Sequence, residues 1–102
     1  EFFVDAQIES IAAVQKDGAA YAQIRGTANA DKFDSAWIEY GRGTSPEKWT
    51  RAKGKLQQAV SNDSLGTIQA AKLSGAAQWT VRLMVKHKTG QIREARYVIN
   101  LN

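Results

Sequence analysis

The sequence predicts an all-β domain of seven strands in two antiparallel sheets packed face to face. Three observations predict it. Apolar and polar residues alternate at every second position through several stretches, the period of a strand with one buried face. Short clusters of Gly, Asp, Asn and Ser separate those stretches at regular intervals. The chain has 102 residues, of which 43% are hydrophobic, enough for one packed core and for a single domain over residues 1–102.

The elements follow in order. A first strand is expected over residues 4–14, ended by Lys16-Asp17-Gly18, which holds a hairpin-type Asp-Gly pair. A second runs over 20–28, where AYAQIRGTA is apolar or small at every second position and Ile24 is a core residue. Asn29 to Lys32 is polar and reads as a turn. The third strand, 34–40, puts Ala36, Ile38 and Tyr40 inward and throws Trp37 and Glu39 outward. Fourth and fifth strands are expected over 55–61 and 66–73, with a turn at Ser61 to Ser64, although Ala and Gln give both a weak helical propensity. The sixth, 78–87, faces Trp79, Val81, Leu83 and Val85 inward and Thr80, Arg82, Met84 and Lys86 outward. A short hairpin near Lys88 to Gln91 leads to the seventh, 91–101, with Ala95, Tyr97, Ile99 and Leu101 inward. Seven short strands with frequent turns in about a hundred residues match an immunoglobulin-like or fibronectin-III-like sandwich.

GRGTSPEKW, residues 41–49, is the strongest break in the pattern, with two glycines, the only proline and a tryptophan. A phosphate-binding loop needs glycines leading into a long helix. Here Pro46 follows soon after Gly43 and no long amphipathic pattern comes next. The stretch reads instead as a turn that leaves a strand through Gly41 and Gly43. Pro46 then stiffens the crossing to the other sheet. Ser45-Pro46-Glu47 has the cap and N1 signals for one helical turn. Trp49 is expected to fold back as a lid on the core edge, with an exposed sugar-stacking role as the alternative.

Little in the chain suggests catalysis. There is no cysteine, which removes disulfides and thiolate chemistry. The single histidine, His87, stands between lysines at a predicted hairpin and is expected to be solvent-exposed. No Ser-His-Asp set stands out. The acid pairs Asp31/Asp34 and Glu1/Asp5 read as solvated turn acids rather than a glycosidase pair or a calcium site. No cofactor and no metal are expected. Asn62-Asp63-Ser64 is a glycosylation sequon only where the source glycosylates. The net charge of +4 is modest and scattered, which fits solvated strand edges better than attraction to an anionic polymer. Nucleic acid is not expected as a partner, because the basic residues are not interleaved with several outward aromatics. No apolar run approaches a membrane span. The start at Glu1-Phe2, without Met or a signal peptide, reads as a piece excised from a longer protein.

The best candidate for an interaction surface is geometric. In an immunoglobulin-like sheet the third, sixth and seventh strands are neighbours. Their outward positions gather Trp37, Glu39, Arg82, Met84, Arg96 and Val98. Such a face either docks a neighbouring domain or a glycan, or is merely sealed by Arg stems, with Trp37 in cation–π contact with Arg82. Tyr21, outward on its own strand, carries the same ambiguity.

Four segments carry a family resemblance: IRGTAN (24–29), FDSAWIEYGRGTSPEKW (33–49), SLGTIQ (64–69) and WTVRLMVKHKTGQIREAR (79–96). Together they resemble an immunoglobulin/fibronectin-III-like accessory domain of large bacterial extracytoplasmic proteins, as in the C-terminal tails of bifunctional penicillin-binding proteins. Ala36, Gln69-Ala70-Ala71 and His87 depart from that pattern. The resemblance implies a non-catalytic structural or interaction module of a periplasmic, cell-surface or secreted protein. Its partners would be neighbouring domains of the same chain or another envelope protein, and it would meet a membrane only through its parent. The alternative is a module binding cell-wall glycan through exposed aromatics.

Overall fold

The computed structural model describes residues 3–101. Among them, seven strands form: β1 (Val4–Lys16), β2 (Ala19–Ala30), β3 (Phe33–Arg42), β4 (Thr50–Arg51), β5 (Val60–Gln69), β6 (Gln78–His87) and β7 (Ile92–Asn100). They pair as two antiparallel sheets, ordered β1-β2-β5 and β4-β3-β6-β7. The inner faces meet over one apolar core. The first sheet supplies Ile24, Ala28, Leu65 and Ile68, and the second supplies Ala36, Ile38, Tyr40, Trp79, Val81, Leu83 and Val85. Val81, Leu83 and Val85 are fully buried because β6 lies inside its sheet with a strand on either side. Each such side chain stabilises the fold by about 1.5–3 kcal/mol.

Local chemistry explains the hairpins. Asp17 and Gly18 both have positive φ, as a two-residue turn between right-twisted strands requires. The β6–β7 turn closes with Gly90 N–H donating to His87 O and His87 N–H to Gln91 O, both at 2.8 Å. The turn at 29–32 is tighter than expected: Asn29 and Ala30 continue β2, and Asp31-Lys32 alone makes the bend.

The middle of the chain departs from its expected strands. Residues 55–61 do not form the fourth strand. That strand is the two-residue β4, which pairs Glu39 with Arg51 and Tyr40 with Thr50. Leu56 is the one apolar anchor in KLQQA, so it makes only an isolated bridge to Ala36, with N–H to O distances of 2.8 and 3.0 Å. The expected turn at Ser61 to Ser64 lies inside β5. Asn62 takes positive φ at a register shift, and its N–H donates to Thr27 Oγ1 at 3.0 Å. Leu65 is the extra residue of a second bulge and turns into the core. β5 ends at Gln69, and Ala70–Lys72 form a 3-10 turn that seats Leu73 in the core. Here helical propensity prevails, since the alanines have no strand partner.

The far end of β7 also differs. Leu101 is 43% exposed rather than in the core, because the strand stops at Asn100 and Leu101 N–H bonds to Ala77 O beyond the sheet. Tyr97 and Ile99 are only half-buried, as befits an edge strand.

Candidate interaction surface

The register places the six candidate residues on the outer face of the four-stranded sheet. Trp37 pairs with Met84, Glu39 with Arg82, Arg82 with Arg96, and Thr80 with Val98. β4 adds Arg51 opposite Glu39. Alternation alone decides which side chains point this way. What they do there depends on their neighbours.

Two carboxylates and three guanidinium groups form a continuous chain across the strands. Arg51 Nη2 lies 4.0 Å from Glu39 Oε2. Glu39 Oε1 accepts from both Nε (2.7 Å) and Nη2 of Arg82. Arg82 Nη1 donates to Glu94 Oε2 at 2.9 Å, and Glu94 Oε1 is 3.0 Å from Arg96 Nε. Desolvation would raise the Glu94 carboxyl. The hydrogen bonds and charges of Arg96 and Arg82 outweigh it and hold Glu94 below the usual glutamate range.

The indoles are built into this chain. Trp37 is 9% exposed, donates through Nε1 to Glu39 Oε2 at 2.8 Å, and lies under Arg51, whose Cζ is 4.5 Å from the ring centroid. The expected cation–π partner was Arg82; Arg51 takes that place because β4 runs beside β3. Arg82 stacks on Trp49 instead, at 3.9 Å, with Arg96 at 5.2 Å from the same ring. Trp49 is therefore no lid on the core edge. It covers the outside of the sheet, half-buried. The face is most exposed at its two edges: at β4, where the Arg51 side chain is 56% exposed, and at β7, where Val98 is 39% exposed and the Arg96 side chain 47%.

Residues 41–49 deliver Trp49 to this position. They do not cross to the other sheet, and no helix forms at Ser45-Pro46. The segment turns back so that β4 pairs with β3 in the same sheet. Gly43, at φ +83°, makes the turn and is tied to β6 by Gly43 N–H to Gln78 O at 2.8 Å and Thr80 Oγ1 to Gly43 O at 2.6 Å. Pro46 packs directly on Gly41: a Cβ at Gly41 would stand 2.5 Å from Pro46 Cβ and 2.6 Å from Lys48 O.

His87 corrects another expectation. It is fully buried, and its ring joins two turns. Nε2 is 2.9 Å from Asp31 Oδ1, and Nδ1 accepts the Thr89 N–H at 3.1 Å. With Nδ1 accepting, the ring proton sits on Nε2 and faces Asp31. Desolvation would raise the Asp31 carboxyl, but the hydrogen bonds from His87 and from the Phe3 and Lys32 backbone leave it below the usual aspartate range. Nothing in the spacing of residues points to this contact, because the partners lie 56 residues apart. Asp34 bonds Ser35 Oγ at 2.9 Å and takes no part in the cluster. Asp5 is bonded by Gln7 Nε2 at 2.8 Å, whereas Glu1 lies outside the described residues. No group of three or more metal-ligating side chains occurs among the described residues. No protein-family description, curated protein or solved structure matches this chain.

Proposed function

We propose that this chain is a non-catalytic structural and interaction module of the immunoglobulin/fibronectin-III-like kind, serving an extracytoplasmic bacterial protein. The observation that carries the module reading is the filled outer face of the four-stranded sheet. Both indoles there already have guanidinium groups on a ring face, and those groups are tied to Glu39 and Glu94. A sugar stacking on the guanidinium-covered face of Trp37 or Trp49 would have to displace them. That favours a rigid face that abuts a neighbouring domain along Arg96 and Val98 over a neutral-glycan platform. The strand order supports the fibronectin-III side of the comparison: the fourth strand pairs with the third, whereas in a constant-type immunoglobulin sheet it joins the first, second and fifth. The envelope setting and the link to penicillin-binding proteins rest on the sequence resemblance alone.

Tryptophan fluorescence tests this reading. Titration with neutral chitin oligomers should leave the emission unchanged. A saturable shift abolished by Trp37→Ala or Trp49→Ala would overturn it in favour of a glycan-stacking module.

A further inference from the structure

The two sheets do not close along the β4–β5 side, because β4 is only two residues long. A hollow of about 300 Å³ opens there, between the edge of β5 and the turn after β4. Tyr21, Thr50 and Gln69, residues that carry hydroxyl and amide groups, are among those that line it, and Arg51, Lys53 and Lys72 are its cations. A shallower groove continues from it past Tyr40 and Lys72, adding Arg42 and Lys48 against one acid, Glu47. The indole N–H of Trp79, also on this groove, is buried and has no hydrogen-bond partner among the described residues.

Of the cleft's cations, Arg51 also belongs to the outer face, where it is paired with Glu39. There each guanidinium has a carboxylate. Here Lys53 and Lys72 have no acid within ion-pair distance among the described residues. Two unneutralised ammonium groups at one concave site attract an anion, and the low-dielectric walls strengthen that attraction. The hydroxyl and amide groups around them match the donors and acceptors of a sugar ring, and the volume is at the small end of ligand sites. Single-stranded nucleic acid fits less well, since it needs successive bare aromatic faces. Trp37 and Trp49 are covered on another surface.

We infer that this edge cleft binds an anionic sugar unit, carboxylated or phosphorylated, with Lys53 and Lys72 holding the acid group and Tyr21, Thr50 and Gln69 facing the ring. The inference goes beyond the module reading and does not depend on it, because its charge rests on Lys53 and Lys72, which take no part in the outer-face network.

Amide NMR titration with trigalacturonate and with glucose 6-phosphate distinguishes the two sources of charge. Chitotriose, inorganic phosphate and a short single-stranded oligonucleotide serve as comparisons. At least one of the two acidic sugars should shift residues 50–53 and 67–72 saturably, more tightly than either chitotriose or phosphate. Lys53→Glu combined with Lys72→Glu should weaken that binding by at least about tenfold, the loss expected when attraction at two positions becomes repulsion. Both lysines are exposed, so the double variant keeps the core intact, which far-UV circular dichroism checks. Binding unaffected by the double variant, equal binding of chitotriose or phosphate, tighter binding of the oligonucleotide, or no shift at the cleft with either acidic sugar would each overturn the inference.

Discussion

Replacing Arg82 by alanine removes more than one contact. Its side chain is 19% exposed and its guanidinium meets Glu39, Glu94 and the Trp49 ring together. The Glu39 side chain, 14% exposed, would keep its charge and lose its main partner. Loss of one member of a partly buried pair is costly because the other stays desolvated. Arg82→Ala should destabilise the fold by about 2–3 kcal/mol in urea unfolding at neutral pH. Arg82→Lys should recover only part of that, since an ammonium cannot fork to Glu39 and stack on an indole at once. Equal stability of Arg82→Ala and the parent chain would contradict the proposed role of the network.

At the scale of elements, residues 41–49 matter because they return the chain to its own sheet and set Trp49 over β6 and β7. Their geometry depends on close approach at Gly41, where the contacting atoms belong to the Pro46 ring and the Lys48 backbone. Neither can yield without moving the segment. Gly41→Ala should therefore cost about 1–3 kcal/mol, the usual penalty for overpacking, and should also draw Trp49 away from Arg82. The second effect is readable on its own. Tryptophan emission of the folded variant should move to the red, and an unshifted spectrum would show that the strain is absorbed elsewhere.

For the whole molecule, two carboxylates link stability to pH. Asp31 ties the β2–β3 turn to His87, and Glu94 ties β7 to β6. Both are held below their ordinary values in the folded state. A depressed carboxyl contributes stability that is fully present above its unfolded value and is lost as pH falls through its folded value. Unfolding free energy should thus decline as pH drops below the ordinary carboxylate range, with no such loss between about pH 6 and pH 8 from these two groups. Urea midpoints at about pH 6 and about pH 3 measure it, and Glu94→Gln should flatten part of the difference. A decline of the same size in the variant would mean that Glu94 is not one of the linked groups.

The two-residue alternation determined the all-β class, the inward residues of β6 and the shared face of Trp37, Glu39, Arg82, Met84, Arg96 and Val98. Alternation is a local rule, and it fixes the face to which a side chain points once the strand forms. Only the tertiary structure decided that β4 is Thr50–Arg51 rather than residues 55–61, that Arg51 covers Trp37, that Trp49 covers Arg82, and that His87 is buried against Asp31. Each of those outcomes depends on which distant strand or turn becomes a neighbour. Spacing along the chain carries no record of that, because it follows from how two greasy inner faces settle on each other.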